Sequence, residues 1–325
     1  MWAAVCREHG DPDVVKVESI PVPEVGPGQA RVRVHAAAVN FPDVLIVAND
    51  YQVKVPTPFV PGSEFAGVVD EIGDGVDTVA VGDRVIGTGL VGAFAEQAIA
   101  DAAALTMIPS GVDDRTAAAF GVAHRTAYHV LRSIAAIRPG EELVVLGAGG
   151  GVGLAAVQLG AVLGASVTAV ASSPEKLAAA ATYGAGNLIQ HGVSDLREAL
   201  REQLPGGADV VLDPVGGELS EPALRCLRWG GRFVSVGYAS GVIPRIPLNL
   251  VLLKGIAVLG FEFLGFATHA ADELHRNDAE LLELLEDGRA VPHVGAVFAR
   301  GDVVTALRHV ASGRAIGKVV IDLTR

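Results

Sequence analysis

The stretch Leu143–Leu159 reads LVVLGAGGGVGLAAVQL and lies inside a longer run, Leu143 to Pro174, that contains no Asp, Glu, Lys or Arg. On length and lack of charge alone this run could span a membrane, which takes about 20 consecutive apolar residues. Its hydrophobic pattern instead divides into an aliphatic strand, a turn that is mostly glycine, an Ala/Leu-rich helix and a second strand. The predicted bounds are Leu143–Gly147, Ala148–Gly153, Leu154–Leu163 and Ser166–Ala171. This order predicts a βαβ unit whose parallel strands are buried on both faces.

The glycine-rich turn fits a dinucleotide-binding motif. In the frame Ala148–Gly153 alanine takes the first place of G-x-G-x-x-G, and glycine takes the other two. We expect Gly150 to let the backbone approach a pyrophosphate and Gly153 to let the helix pack closely on the sheet. Together with Gly151 and Val152, these residues would present backbone N–H groups to the anion at the helix start. A glycine turn without a ligand is the alternative, and the lack of Gly-Lys-Ser/Thr after the glycines disfavours a P-loop.

The end of the second strand indicates which dinucleotide is bound. An NAD-preferring fold places a carboxylate there, whereas this chain reads Ala171-Ser172-Ser173-Pro174-Glu175-Lys176. Ser172, Ser173 and Lys176 could bind a 2′-phosphate, so NADPH is the predicted cofactor. We expect Glu175 to point away along the next helix. Ser173 and Pro174 would also suit a helix cap and first turn, and the two roles are compatible.

The remaining pattern predicts an α/β protein in which a doubly wound domain is inserted into a mostly-β domain. Short, alternating runs and turn residues fill residues 1–117, whereas strands alternate with helices over 118–257. Residues 258–325 form a mixed tail, with a helix predicted from about His269 to Asp287 and a final strand. The predicted domains are therefore 1–117, 118–257 and 258–325, with the first and last belonging together.

The amino-acid composition indicates which kinds of binding partner are disfavoured. A formal net charge of −12 disfavours nucleic acid and anionic membranes, since both attract a basic surface. We expect no signal peptide, because the start lacks a basic segment followed by an apolar one. The only two cysteines, Cys6 and Cys226, argue against a disulfide scaffold and fit a reducing, cytoplasmic setting.

Several segments together resemble the medium-chain dehydrogenase/reductase superfamily, and more narrowly its zinc-free quinone oxidoreductase branch, the zeta-crystallin-like proteins. They are Val39-Asn40-Phe41-Pro42-Asp43, Pro61–Val69 (PGSEFAGVV), Val81–Val85 (VGDRV), Arg125–Tyr128 (RTAY) and the glycine frame. The resemblance runs nearly end to end, as far as Gly317–Val320. It implies a Rossmann domain within a GroES-like catalytic domain, and a homodimer formed through the nucleotide-binding sheets.

The resemblance also allows a prediction about metal binding. Zinc-dependent members would carry Cys where this chain has Asn40 and His where it has Ser63, within a Gly-His-Glu triplet. A catalytic zinc takes three protein ligands and an open position. The lobe of cysteines that holds a structural zinc is replaced by the short segment Ile86–Leu90, and His124 and His129 do not share a helix face. We therefore expect no metal.

Further site residues follow from the resemblance. It places Asn40 beside the nicotinamide ribose and Tyr51 in the substrate cleft, as the two candidate catalytic residues. Tyr51 could equally be a packing residue, as could Thr126 near the nicotinamide. His191 stands where the branch often has a tyrosine near the adenosine phosphate, and would bind a 2′-phosphate more strongly when protonated; a plain surface histidine is the alternative. The other implied cofactor contacts are Val215, Gly237, Asn249 and Lys318, while Asp43 is expected to hold its loop.

These observations predict a metal-free reductase that moves hydride from NADPH to a quinone or an activated alkene. Alcohol oxidation commonly needs a Lewis acid, whereas an electron-poor acceptor needs positioning and a hydrogen-bond donor. By the resemblance, Leu45 and Val47 stand where quinone reductases often carry polar or basic residues, so we expect a more apolar acceptor pocket than is usual in that branch. The alternatives are an enoyl-thioester reductase and an NADPH-binding protein with little turnover.

Overall fold

The computed structural model describes residues 1–325, and short strands dominate the first 122 of them. The strands are β1 (Trp2–Cys6), β2 (Val15–Ser19), β3 (Gln29–Val39), β4 (Glu64–Ile72), β5 (Arg84–Thr88), β6 (Gln97–Asp101) and β7 (Thr106–Met107). Two helices lie among them, α1 (Phe41–Val47) and α2 (Asp114–Ala118), with 3-10 turns at Pro12–Val14 and Ala102–Ala104. Alternation in β3 buries Ala30, Val32 and Val34, because successive side chains of a strand point to opposite faces.

Residues 123–290 alternate strands with helices, as the sequence pattern predicts. The strands are β8 (Glu142–Leu146), β9 (Ser166–Ala171), β10 (Ala185–Gln190), β11 (Ala208–Asp213), β12 (Leu227–Ser235) and β13 (Ala257–Gly260). The helices are α3 (Ala123–His129), α4 (Gly151–Val162), α5 (Pro174–Thr182), α6 (Leu196–Gln203), α7 (Ser220–Cys226), α8 (Leu248–Lys254), α9 (Phe263–His269) and α10 (Ala271–Glu286). A π-helical segment, Val130–Ile134, continues α3, and a 3-10 turn, Gly217–Leu219, precedes α7.

The closing segment returns to the first part of the fold. It consists of β14 (Val294–Ala299), a 3-10 turn at Arg300–Asp302, α11 (Val303–Ala311) and β15 (Lys318–Asp322). Strand β15 pairs antiparallel with β3, Val319 opposite Val39, and parallel with β14. The terminal strand therefore completes the sheet that the first part began.

Three sheets result. A parallel sheet has the order β10-β9-β8-β11-β12-β13, a seven-stranded sheet has the order β14-β15-β3-β4-β5-β7 with β6 also on β3, and β1 pairs with β2. The parallel sheet has crossovers on both sides of β8, which is the doubly wound arrangement. The predicted α/β class, a doubly wound parallel sheet inserted in a mostly-β domain, is confirmed.

Strand β8, which apart from its first residue begins the uncharged run Leu143–Pro174, lies at the centre of the parallel sheet. Leu143 to Leu146 of β8 are fully buried, as strands covered on both faces must be. Helix α4 begins three residues earlier than predicted, because Gly150 has an extended backbone (φ −85°, ψ 176°) and caps a helix that starts at Gly151. No helix in the structure combines the length and the apolar character that a membrane span requires.

The chain divides into two compact units, residues 1–122 with 291–325, and residues 123–290. The second unit ends later than the predicted boundary at 257, because α10 packs against α3. Arg125 of α3 forms a two-pronged ion pair with Asp278 of α10, at 2.8 and 2.6 Å. The boundaries 117/118 and 257/258 remain predictions for the functional domains.

The helix predicted over 269–287 is preceded by another that the sequence analysis missed. Helix α9 covers Phe263–His269, and Ala270 separates it from α10 with a non-helical backbone (φ −136°, ψ 45°). The Glu262 side chain caps α9 by accepting from the backbone N–H groups of Leu264 and Gly265 at 2.9 and 2.6 Å. An acidic cap before an apolar run was the available signal.

Candidate functional site

The glycine turn between β8 and α4 leaves the helix start open. Gly150 is the N-cap and has no side chain to occupy the helix terminus, and a methyl group placed on it would meet only the Gly147 carbonyl oxygen, at 3.5 Å. A methyl group on Gly153 would instead overlap that same oxygen, so only glycine fits there. The first N–H groups of α4 have no intrahelical partner and point outwards from the turn. The arrangement suits a phosphate, because the helix dipole adds to these donors.

Two neighbouring loops reach the same edge of the parallel sheet. Val215 follows β11 and lies so close to the turn that a methyl group on Gly147 would approach its Cγ2 to 2.6 Å. The buried Asp213 carboxylate holds this loop, accepting from the N–H groups of Val215 and Gly216 at 2.8 Å each. Gly237 follows β12, and a methyl group added to it would meet no atom closer than 3.5 Å. Three strand ends thus bring Val215, Gly237 and the glycine turn together.

The end of β9 carries a small polar cluster. Ser173 caps α5, accepting from the N–H of Lys176 at 3.4 Å, and Pro174 follows as the first helical residue. The Lys176 ammonium donates to Ser172 Oγ at 3.2 Å. The stem of Lys176 covers the glycine turn, since a methyl group on Gly149 would lie 2.5 Å from its Cβ. Ser173 is therefore a helix cap within a group of hydroxyls and one cation.

Two titratable side chains border this polar cluster. Burial and the nearby positive charge of Lys176 lower the pKa of His191 below its ordinary value, so the free protein holds a neutral imidazole at pH 7. The sequence analysis expected the Glu175 carboxylate to point away along α5, and this stays a prediction. The Ser173 side chain lowers the pKa of this exposed carboxyl.

The surroundings of Thr126 and Asn249 favour no single role for these two predicted cofactor contacts. Thr126 lies half-buried in α3, so its side chain remains open to either a packing or a binding role. Asn249 is exposed on α8, a helix that also exposes Leu248, Leu252 and Leu253. Both residues remain predictions as cofactor contacts.

In the other unit, Asn40 is the centre of a buried hydrogen-bond network. Its backbone N–H donates to Asp43 Oδ2 at 2.7 Å, which forms a capping box at the start of α1. Its Nδ2 donates to Ser63 Oγ at 3.1 Å and to Glu64 Oε1 at 2.8 Å, and its Oδ1 accepts from the Lys318 ammonium at 2.5 Å. Asn40 therefore uses both of its amide hydrogens and its amide oxygen within the protein.

Glu64 and Lys318 form the charged part of this network. The Lys318 ammonium donates to Glu64 Oε1 at 2.5 Å. The Lys318 side chain is 3% exposed and the Glu64 side chain is 0% exposed. The other carboxylate oxygen of Glu64 accepts from the backbone N–H of Val122 at 2.7 Å. Sequence reasoning assigned no role to Glu64. The available signal was a carboxylate directly before the apolar strand segment Phe65–Val69.

Asp43 lies in the same network and is fully buried. Burial raises the pKa of its carboxyl to about 7, and the nearby Glu64 charge adds to the rise. Hydrogen bonds from the Asn40 backbone and the Ser63 side chain, and the charge of Lys318, oppose it. Asp43 holds its loop through the capping box, and it can exchange a proton near neutral pH.

The residues predicted to surround the hydride-accepting substrate lie in different environments. Tyr51 is half-buried and packs against the core of its own unit, so the packing alternative has direct support while its proposed contact with substrate stays a prediction. Val47 is fully buried in the same core and does not line an open pocket, contrary to the expectation for it. Leu45 is half-buried. The difference follows from helical geometry, because neighbours two apart on a helix face different directions.

The residues at the positions of the zinc ligands do not fit zinc. Asn40 and Ser63 offer an amide and a hydroxyl instead of thiolate and imidazole, and they bond directly to each other. An ammonium, Lys318, lies against the remaining carboxylate and would repel a metal ion. No group of three or more His, Cys, Asp or Glu side chains is arranged to hold one.

Comparisons with known proteins extend these observations. Residues 26–110 match the family described as alcohol dehydrogenase GroES-like domain, and residues 151–277 match zinc-binding dehydrogenase. Quinone oxidoreductase-like protein 2 of Bos taurus is 38% identical over 323 residues, which cover 99% of this chain and 92% of that protein. The quinone oxidoreductase of Thermus thermophilus, solved also as its NADPH complex, is 33% identical with a TM-score of 0.88, covering 99% and 100% of the two chains. The Escherichia coli quinone oxidoreductase complexed with NADPH is 27% identical with a TM-score of 0.91, also covering 99% and 100%.

Proposed function

The chain belongs to the medium-chain dehydrogenase/reductase superfamily, and from this premise we propose that it is an NADPH-dependent, metal-free reductase of quinones or activated alkenes. The observation that carries the proposal is the polar cluster of Ser172, Ser173 and Lys176 beside the glycine turn. The turn supplies donors for a pyrophosphate, and the polar cluster supplies a cation and two hydroxyls for a 2′-phosphate. Two quinone oxidoreductases similar to this chain were solved with NADPH, which supports the same cofactor here.

The donor groups around Asn40 favour an acceptor that needs no Lewis acid. Bound NADPH would supply a hydride, and a quinone or an enone can take the resulting negative charge onto its own oxygen. We propose that Asn40 binds the nicotinamide end of the cofactor and that Tyr51 contributes to acceptor binding. Thr126, Val215, Gly237 and Asn249 are proposed as further cofactor contacts. Because one matched family is described as zinc-binding, the replacement of the ligands at positions 40 and 63 is the main reason for proposing metal-free chemistry.

We also propose that the protein is a homodimer joined through its parallel sheets. Strand β13 forms one edge of that sheet and leaves its outer hydrogen-bonding side unpaired. Beside it, Trp229 and Leu252 are 80% and 81% exposed, and Leu248 and Leu253 are exposed as well. An apolar surface next to an open strand edge is typical of an interface.

One titration tests the enzymatic proposal. NADPH and NADH are titrated by nicotinamide fluorescence, and 1,4-benzoquinone, an aliphatic enone or crotonyl-CoA is then added while oxidation is followed. Selective NADPH binding followed by oxidation with benzoquinone or the enone supports the proposal. Oxidation only by crotonyl-CoA would replace it with enoyl-thioester reduction, and binding without oxidation would indicate a cofactor-binding protein. A lack of NADPH binding would overturn it.

A further inference from the structure

The Lys318 ammonium bonds to Asn40, which stands at one of the two positions where zinc-dependent members would carry a metal ligand, and to Glu64, which follows the other. Asn40 and Ser63 stand where such members would carry Cys and His, and Lys318 bonds directly to Asn40. Glu64, the third residue of the corresponding triplet, pairs with the same ammonium. The site therefore keeps a positive centre, but the centre is an organic cation supplied by the last strand of the chain.

This cation determines which way the Asn40 carboxamide faces. An ammonium has donors only, so it donates to the amide oxygen and would repel the amide NH2 group. Glu64 Oε1 and Ser63 Oγ take the two amide hydrogens on the other side. A rotation of the carboxamide by half a turn would bring the amide NH2 against the ammonium and the amide oxygen against the Glu64 carboxylate, whereas the Ser63 hydroxyl, which both donates and accepts, can bond either end. The network is buried, where unpaired polar groups are costly and satisfied ones are rigid.

We infer that Lys318 is a positioning residue that acts through Asn40, with Glu64 as its counter-ion, and does not itself contact the cofactor. The inference rests on the proposed function of Asn40 in binding NADPH. It differs from the role that the resemblance implies for Lys318, which is direct contact with the cofactor. The 3% exposure of the Lys318 side chain and its two bonds to Asn40 and Glu64 support the indirect role.

A double-mutant cycle separates the two roles. The dissociation constant of NADPH is measured for the wild type, Lys318→Met, Asn40→Ala and the double variant, with Lys318→Arg as the conservative rescue. We expect Lys318→Met to raise the dissociation constant about tenfold, Lys318→Arg to recover most of it, and Lys318→Met to have less than about twofold further effect once Asn40 is alanine. Equal effects of Lys318→Met in both backgrounds would show direct contact and overturn the inference.

The same strand offers a matched control. Asp322, four residues from Lys318, is buried, forms an ion pair with Arg115 and makes no bond to Asn40. Asp322→Asn should lower the urea midpoint and leave NADPH affinity unchanged, because it breaks a comparable ion pair away from the network. Equal losses of NADPH affinity in Asp322→Asn and Lys318→Met would mean that general destabilisation explains both, and would overturn the inference.

A second variant and a structural readout allow the inference to be tested even if Lys318→Met does not fold. If Lys318→Met does not fold because Glu64 is left unpaired, Lys318→Met with Glu64→Gln removes both charges and takes its place. A neutron crystal structure of that variant, which shows the amide hydrogens, reads the Asn40 carboxamide orientation without any ligand. A rotated or disordered carboxamide supports the inference, and an unchanged one overturns it. This readout stays valid even if the wild type binds no NADPH, which would count against the proposed function alone.

Discussion

The Lys176 ammonium lies 3.2 Å from Ser172 Oγ while its aliphatic stem covers the glycine turn at Gly149. One side chain thus connects the proposed pyrophosphate site with the proposed 2′-phosphate site. Burial lowers the pKa of Lys176 from its ordinary high value, so a bound phosphate dianion would gain a partly desolvated cation.

Replacing Lys176 should remove most of the preference for NADPH. We expect Lys176→Met to weaken NADPH binding about tenfold or more and NADH binding by less than about threefold, because a charge-assisted bond contributes about 1.5–3 kcal/mol. Fluorescence titration of both cofactors measures the change. Lys16→Met, which removes an exposed lysine from β2, serves as the charge-matched control. An equal loss for both cofactors would place Lys176 on the pyrophosphate instead.

Glu175 should oppose NADPH binding. The Ser173 side chain holds the pKa of Glu175 below its ordinary value, so this carboxylate stays charged two positions after Ser173, a proposed 2′-phosphate contact. Removal of its charge should tighten NADPH binding about twofold to fivefold at low salt. The gain is expected to shrink at high salt, since this side chain is exposed. Glu175→Gln is compared with Glu202→Gln, which removes another exposed carboxylate, on α6. No difference between these two variants would show that the Glu175 carboxylate is too far from the phosphate to matter.

His191 predicts a pH dependence of NADPH affinity. Its pKa is lowered in the free protein by burial and by Lys176, and a bound phosphate dianion would raise it. Binding then takes up a proton in the interval between these two pKa values, so affinity should rise as the pH falls through that interval. Titrations from about pH 5.5 to about pH 8.5 should show this for NADPH in the wild type, but not for NADH and not for His191→Gln. A wild-type curve that follows the His191→Gln curve would contradict the contact.

If the exposed apolar surface beside β13 forms the proposed dimer interface, one charged side chain placed in it should prevent dimerisation. Leu252→Glu should convert the proposed dimer to a monomer, because a carboxylate would be buried without a partner in the interface. Light scattering after size-exclusion chromatography measures the mass. Val193→Glu is the control, since Val193 is 74% exposed and follows β10 at the opposite sheet edge. A wild-type monomer, or a Leu252→Glu dimer, would show that the interface lies elsewhere or is absent.

The parts of the fold that could be predicted are those that depend on the pattern of residues within one short segment. Strand β8, the glycine turn and α4 follow from a change of hydrophobic period, and the Ser173 cap follows from residue type. The bond between Lys318 and Asn40 joins residues 278 positions apart, and no local pattern encodes such a pairing.

Asp43 predicts how stability should vary with pH. Its pKa is about 7 in the folded chain, against an ordinary value of 3.8. Between these values the folded state holds a proton that the unfolded state has released, so the Asp43 contribution to the unfolding free energy decreases as the pH rises through this window. A pKa difference of about 3 corresponds to about 4 kcal/mol as an upper bound. Asparagine at this position keeps an oxygen to accept from the Asn40 N–H and cannot ionise.

Urea unfolding of the wild type and Asp43→Asn, at about pH 4.5 and about pH 8, measures this contribution. Other groups titrate in both proteins, so the informative quantity is the difference between the two unfolding free energies at each pH. We expect the wild type to lose stability relative to Asp43→Asn by about 2–4 kcal/mol between the lower and the higher pH. A constant difference would mean that Asp43 ionises normally, with Ser63 and Lys318 offsetting the whole cost of its burial.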